Sequence, residues 1–433
     1  MPPARNRCLT AVLAVLILSA AAPAVAQTTA PNFEQFQFNF SSPGARARAM
    51  GGAFIGVADD ATAAVTNPAG LLALTKPQVY FEFKTLPLET TRLAKSNSFF
   101  SLESTLFLHD SSFFSFVSFA APIGNRFAIS VSRHQFLYLQ EFFNYEPRVS
   151  HNGSTFNPLE AQSDFRGASY AGSVAMALGR GIRMGVTVSA NRLHASASSR
   201  AFQFINTPSG PVATSTVANT LVYGPPSGSF VQTSASVTVG MLYRPGPRLA
   251  VGAFYAKPPQ FTLEEKFLNA ANAALSPARN IPIHLPTRFG GGVSVRPMRR
   301  LLIAADVERI LYSQLLKDFV VGPGNAASLT AANYRISNTL QGRVGAELTV
   351  KTGRTQVFAR AGFVRSPDHR LRFVPTDNLS EFTIAGETDK FNLLQSSSAT
   401  GAFGFGVTIA RRVQFDVALA WTGETISSLM VRF

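Results

Sequence analysis

The sequence predicts an all-β protein: a transmembrane antiparallel β-barrel of about fourteen strands whose N-terminal segment folds into a plug with short helices. Three observations point there. Residues alternate with period two from about Lys76 to the C-terminus, very short turns alternate with long links, and the chain is 46% hydrophobic and only 15% charged. Beyond its first segment it has no apolar run of the roughly 20 residues that a membrane-crossing helix needs. An exported chain this apolar must bury a large core or meet lipid through strands.

The first segment reads as an export signal over residues 1–26. Arg5 and Arg7 precede an apolar run from Leu9 to Ala22, and Ala24-Val25-Ala26 offers small residues for cleavage. Cys8, the only cysteine, lies ahead of that run and would leave with it, so no disulfide is expected in the mature chain. Losing the two arginines lowers the formal charge from +15 to +13. Such a balance suits nucleic acid, anionic lipid or an anionic ligand. Nucleic acid fits an exported chain poorly, and the cations are spread along the sequence, many of them in turns.

Residues 27–75 do not alternate. Gly51, Gly52, Gly56 and the surrounding alanines suit a close-packed segment, the expected plug. Within "ADDATAAVTNPAGL" (58–71), Asp59 or Asp60 is placed to cap a short helix over "DATAAV". Asn67 fits an N-cap, with Pro68 at the first helical position and Ala69 after it. A phosphate loop would need Gly-Lys-Ser/Thr, which is absent. A catalytic acid pair would need a His, Cys or metal-ligand partner nearby, and none is there.

Residues 76–433 form the expected barrel. In "LQGRVGAELTVK" Leu340, Val344, Leu348 and Val350 fall on one face and Gln341, Arg343, Glu347 and Lys351 on the other. Val413, Phe415, Val417, Leu419 and Trp421 oppose Gln414 and Asp416 in the same way. Lipid-facing strands of about ten residues show this pattern, apolar outward and polar inward. The turns "PIGNR" (122–126), "GRG" (179–181), "RPGPR" (244–248), "RPMRR" (296–300), "KTGR" (351–354) and "ARR" (410–412) alternate with long links near 88–112, 138–164, 201–229, 262–286, 318–335 and 366–398. Tight periplasmic turns and longer outer loops are the expected asymmetry of an outer-membrane barrel. A soluble sandwich or propeller also alternates, but gives no reason for loop lengths to differ by side. A closed barrel pairs every backbone group, as lipid requires. The last residues, "SSLMVRF", alternate and end on Phe433, which resembles the signal read by the barrel-assembly machinery.

"GARARAMGGAFIGVADDATAAVTNPAGL" is similar to the N-terminal region of the FadL-type outer-membrane transporters. "LPTRFGGGVSVRPMRRLLIAADVERILYS" and "GRVGAELTVKTGRTQVFARAGFVRSPDHRLRF" look like strand pairs of that family. The resemblance implies a fourteen-stranded barrel with an inward-folded N-terminal hatch. It also implies gated, passive uptake of a long-chain fatty acid or aromatic hydrocarbon across the bacterial outer membrane, without a cofactor. Asp59, Asp60, Asn67, Pro68 and Ala69 would then lie in the hatch as parts of a gate. The doubled "ARAR" (45–48) departs from the family's pattern.

A hydrophobic ligand needs an apolar catch on the outer side. Candidates are Phe99, Phe100 and Phe107 in the first link, Phe142 and Phe143 in the second, and Phe267 in "LEEKFLNAANAAL" (263–275). That last stretch has apolar residues at helical spacing and reads as a short amphipathic helix. The same aromatics would equally suit an interfacial girdle. A fatty-acid carboxylate would want a sheltered cation, and Arg183, Arg343, Arg360 and Lys351 face inward. They would equally pair with Glu347, Asp416, Asp306 or Glu308. The rival functions are a barrel hydrolase and an assembly or secretion accessory barrel. The first finds no G-x-S-x-G motif and no histidines at metal spacing, and the second would bind protein rather than lipid.

Overall fold

The computed structural model describes residues 40–92, 105–145, 148–149, 155–156, 159–226, 231–269, 271–274, 277–317, 331–351, 353–367, 371–379 and 399–433. The expected export signal and the first part of the plug lie outside them.

Fourteen strands close into one antiparallel ring. They are β1 (Gln78–Arg92), β2 (Thr105–Ile123), β3 (Phe127–Tyr145), β4 (Leu159–Gly179), β5 (Ile182–Thr207), β6 (Gln232–Tyr243), β7 (Leu249–Lys257), β8 (Arg288–Met298), β9 (Leu301–Ile310), β10 (Thr339–Lys351), β11 (Thr355–Arg365), β12 (Ala399–Ile409), β13 (Val413–Ala420) and β14 (Thr425–Arg432). Each pairs with its sequence neighbour, and the ring closes where Gln78 of β1 meets Arg432 of β14. Every strand is paired on both sides over at least part of its length, so the ring closes as a lipid-crossing sheet must.

The alternation read from the sequence is the in/out alternation of the wall. Leu340, Val344, Val350, Phe415 and Trp421 are exposed on the outside, while Arg343, Glu347, Gln414 and Asp416 are buried inside. Strand identities match expectation, but strands near the outer rim run longer than the pattern indicated. Among the described residues the links near 88–112, 138–164 and 201–229 are largely strand: β1 and β2 extend to Arg92 and Thr105, and β5 runs into a hairpin with Gly210–Gly224.

One expectation fails. The described residues of 263–275 are not a helix: Gln260–Asn269 is a strand continuing the direction of β7, paired with Gly210–Gly224 on one side and Arg279–His284 on the other, followed by a turn. A short isolated helix is marginal by itself. Two neighbouring strands with open edges satisfy the same backbone groups.

Residues 40–75 sit inside the ring. They contain helix α1 (Ala45–Ala49), helix α2 (Ala63–Thr66) and a 3-10 helix, Pro68–Ala73. Most of them are buried, and apolar clusters join them to the wall, the two largest being Ala61, Ala64 and Leu71 with Tyr80, Phe116 and Met430, and Met50 and Phe54 with Leu302 and Ala304. The protein's driest core is therefore the contact between plug and barrel, not the barrel alone.

Candidate functional site

The plug is seated on glycine. Where its backbone touches the wall, the inward positions are Gly185, Gly240, Gly252, Gly292, Gly345, Gly362 and Gly404, spread over seven strands. A methyl group at Gly185 would overlap Pro68, at Gly252 the carbonyl of Ile55, and at Gly345 or Gly362 the backbone of Met50. The plug reciprocates with Gly51 and Gly56, where a Cβ would strike the backbone of Phe363 and Gly292. At Gly185, Gly252, Gly292, Gly345 and Gly362 two backbones lie against each other, while Gly240 receives the side chains of Asn67 and Pro68 and Gly404 the Cβ of Ala49.

Polar ties hold that seat. Asn67 does not cap the 3-10 helix with its side chain. Its Nδ2 instead donates to the carbonyls of Ile55, at 3.1 Å, and Met241 of β6, at 3.0 Å. Pro68 takes the first helical position as expected. Asp306 of β9 is not paired with an arginine. Its Oδ2 accepts the amides of Phe54, at 2.6 Å, and Ile55, at 2.8 Å, so a wall carboxylate holds a turn of the plug. Thr187 and Ser294 donate to the carbonyls of Ala64 and Gly56.

The two acids of the opening motif divide the work. Asp60 accepts the amide and hydroxyl of Thr62, the residue that starts α2. Burial pushes its carboxyl up from the ordinary value, with Arg46 opposing. Asp59 is held by Arg46 at 2.5 Å and by Arg296 at 3.4 Å. Arg46 also forks onto Glu347 of β10, at 2.7 and 3.0 Å. Glu347 takes Arg360 of β11 at 2.7 Å, and Arg360 continues to Asp416 of β13 at 2.7 Å. Burial works against the charge on Arg46, but Asp59 and Glu347 outweigh it and hold the guanidinium well above its usual range. Arg48 meets Glu424, in the turn before β14, at 2.5 Å, and Lys84 of β1 joins at 2.9 Å. Both arginines of the "ARAR" stretch therefore tie α1 to the wall.

Glu424 gives this lock a pH window. Burial raises its carboxyl, and Arg48 and Lys84 overcome that to hold it down to about 2. A carboxylate whose value is depressed by docking stabilises the docked state above its free value of about 4.3 and loses that contribution as pH falls further. The plug is expected to stay seated from neutral pH to about pH 4.5 and to loosen below it. Ion conductance measured against pH checks this, and Glu424→Gln should lessen the acid-dependent part, leaving what the Arg46–Glu347 pair contributes.

Above the plug the lumen becomes apolar. Phe136, Phe165, Leu193, Phe261, Leu263 and Ile283, from β3, β4, β5 and the outer strands, form one buried inward cluster. The Phe136 and Phe261 rings stack with centroids 6.3 Å apart. Phe136 points inward because β3 bulges there: the register with β4 skips between Gln135 and Leu137, and Gly167 leaves room for its ring. The inside of a membrane barrel is ordinarily polar, so this patch marks where an apolar guest is welcome.

The wall splits beside that patch. β2 and β3 pair from Ile123↔Phe127 to Phe116↔His134, and among the described residues the pairing goes no further. Yet β2 stays paired with β1 up to Arg92↔Thr105, and β3 with β4 up to Tyr145↔Leu159. At the fork the β1–β2 register also skips, at Ser115. Arg133 donates to the carbonyl of Phe114 at 2.5 Å, and the rings of Phe113 and Tyr138 stack across the gap at 4.4 Å. His134 is buried at the apex with its Nε2 unpartnered. A seam closed by side chains, not by backbone hydrogen bonds, runs up the wall from this point.

The chain covers known transporters from end to end in structure. The P. putida toluene transporter TodX superposes with a TM-score of 0.61 at 12% identity, covering 91% of this chain and 99% of that one. The Ralstonia pickettii toluene transporter TbuX gives 0.56 at 14% identity, with coverage of 91% and 99%. A Pseudomonas aeruginosa FadL homologue gives 0.56 at 13%, with coverage of 91% and 96%. The chain has the fold of the FadL-type transporters. No protein-family profile and no curated protein matches it by sequence.

Within this FadL-type barrel the expected ligand residues fall in different places. Arg343 pairs with Glu308 and donates to Gln341 at 2.7 Å. Arg360 lies in the plug network described above. Arg343 also lines a narrow cleft between plug and wall, with Arg288, Glu308, Phe254, Ile55 and Val65. Two guanidiniums face one carboxylate there. Phe99 and Phe100 lie outside the described residues. Phe107 is on β2 and Phe142 and Phe143 are on β3, but their side chains lie outside the described set. Phe267 is half-buried on the strand Gln260–Asn269, opposite Leu221. Phe136, Leu137 and Leu263 stand out in the sequence as apolar outer residues, but their meeting with Phe165, Leu193 and Phe261 in the lumen does not, although one signal exists: the inward phase of β5 changes from Thr187 and Asn191 to Leu193, Ala195 and Ala197.

Proposed function

We propose that this protein is a passive outer-membrane uptake channel for a hydrophobic small molecule, a long-chain fatty acid or a similar compound. The adjacency of an apolar luminal patch and an unzipped β2–β3 seam carries this reading. A greasy ligand gains nothing from a wet pore. It gains from apolar contacts followed by a sideways step into lipid.

In this reading residues 1–26 are removed on export, residues 27–75 are the hatch, and residues 76–433 are the barrel, assembled through a signal ending at Phe433. The outer aromatics Phe99, Phe100, Phe107, Phe142, Phe143 and Phe267 gather the ligand. Phe136 and Phe261 pass it inward. Asp59, Asp60, Asn67, Pro68 and Ala69 keep the hatch shut against solutes. Arg343, with Arg288 beside it, meets a ligand carboxylate, while Arg360 holds the hatch. No ATP or other cofactor is needed, because flow follows the gradient. The structural relatives named as toluene transporters support a hydrophobic ligand, and the cleft's two arginines, with only Glu308 between them, favour one with an acid head.

The test is uptake of labelled oleate and of labelled toluene by cells with and without the protein, repeated after deleting residues 58–71. Protein-dependent entry of either compound is expected, oleate more strongly. Entry of neither would overturn the proposal.

A further inference from the structure

We propose that the ring of short turns at the periplasmic rim is a binding collar for anionic phospholipid headgroups. It rests on the outer-membrane placement proposed above, but not on the ligand.

The six turns "PIGNR", "GRG", "RPGPR", "RPMRR", "KTGR" and "ARR" are rich in arginine and contain no aspartate or glutamate. Arg126, Arg180, Arg248, Arg299, Arg300 and Arg412 are all exposed. Among the described residues none of these six has a carboxylate within ion-pair distance. The opposite end is different. There Arg166 meets Asp164 at 2.8 Å, Lys266 meets Glu264 at 2.7 Å, and Arg279 pairs with Glu265. These three outer-rim cations are neutralised within the chain, and of the inner turns' arginines Arg296 reaches Asp59, while the six named above are left for something else.

The position of these turns selects the partner. Each sits at the end of strands whose last outward side chains are apolar and exposed, such as Ile123, Leu178, Met298, Val350 and Ile409. The guanidiniums therefore encircle the barrel where the hydrocarbon layer ends, at the depth of lipid phosphates. A soluble acidic partner would meet one arc of such a ring, whereas a lipid annulus meets all of it. Guanidinium matches phosphate in a two-pronged geometry. Attraction to an anionic leaflet acts within a Debye length of it.

The experiment is native mass spectrometry of the purified mature protein in micelles containing equal phosphatidylglycerol and phosphatidylcholine. Wild type should retain phosphatidylglycerol about tenfold over phosphatidylcholine at low salt, and the preference should collapse to within about twofold in R126Q/R299Q/R300Q/R412Q. Arg411 is left alone because its φ is 59°. Heat-modifiable migration on gels reports that the variant barrel is folded. The outer-rim variant R166Q/K266Q/R279Q should keep the wild-type preference. An unchanged preference in the inner-rim variant, an equal fall in the outer-rim variant, or displacement of the lipid by millimolar inorganic phosphate would each overturn the collar. Uptake of oleate or toluene is scored separately, so loss of lipid preference with uptake intact separates this idea from the transport reading.

Discussion

Replacing Gly345 by valine is expected to unseat the plug without unfolding the barrel. The glycine is buried on β10, and a Cβ there would overlap both the carbonyl and the side chain of Met50. Overpacking a well-packed contact costs about 1–3 kcal/mol, and each 1.4 kcal/mol is a factor of ten. The undocked population should rise roughly five- to a hundredfold. Gly362→Val, on the neighbouring strand and against the same residue of the plug, should do the same. Single-channel conductance and sensitivity to bulky hydrophilic antibiotics measure the change. The outward apolar belt is untouched, so heat-modifiable migration should stay that of wild type. The control is Gly172→Val on β4, where a Cβ meets nothing. It should leave conductance unchanged.

The second large effect is expected at Arg360. Its side chain is fully buried between Glu347 and Asp416. Arg360→Met keeps much of the volume but strands those acids in the lumen wall. Breaking a buried pair by removing one partner typically costs about 3–5 kcal/mol. Here the lower end is expected, about 3 kcal/mol, because Arg46 still holds Glu347 and Gln414 still donates to Asp416 at 2.8 Å. Thermal unfolding in detergent should show the loss. Adding Asp416→Asn to Arg360→Met should recover part of it, since the second change removes the orphaned charge. If the double variant were no more stable than Arg360→Met alone, the arginine would be acting through packing and not through charge.

Much of this architecture could be read from the residues because lipid imposes a simple rule on a barrel wall. Leu340, Val344 and Val350 must face hydrocarbon, so their phase gives the strand, and the alternation of turn and link lengths gives its direction. The rule weakens wherever lipid no longer acts. At the outer rim, 263–275 offers apolar residues at helical spacing, and only the open edges of Gly210–Gly224 and Arg279–His284 decide that Gln260–Asn269 is strand.

Inside the barrel the limits are different. Asn67 was identified as important for a local reason, capping, while its side chain serves a distant one, the carbonyl of Met241. The glycine seat cannot be recognised from Gly345 or Gly362 alone, because a strand glycine reads only as weak strand until its opposite backbone is known. The bulges at Ser115 and Phe136 add one residue to a strand without any change in composition, so the seam they flank is invisible before the register is known.

The seam can be tested by closing it. Cysteines at Phe113 and Tyr138, whose rings already touch, can be joined by a short reducible crosslinker in a mature chain expected to lack other cysteines. If the ligand leaves sideways between β2 and β3, uptake should fall at least about tenfold on crosslinking and return on reduction, while conductance through the plug stays constant. Full crosslinking with undiminished uptake would show that the ligand takes another path, and the lateral route would have to be abandoned.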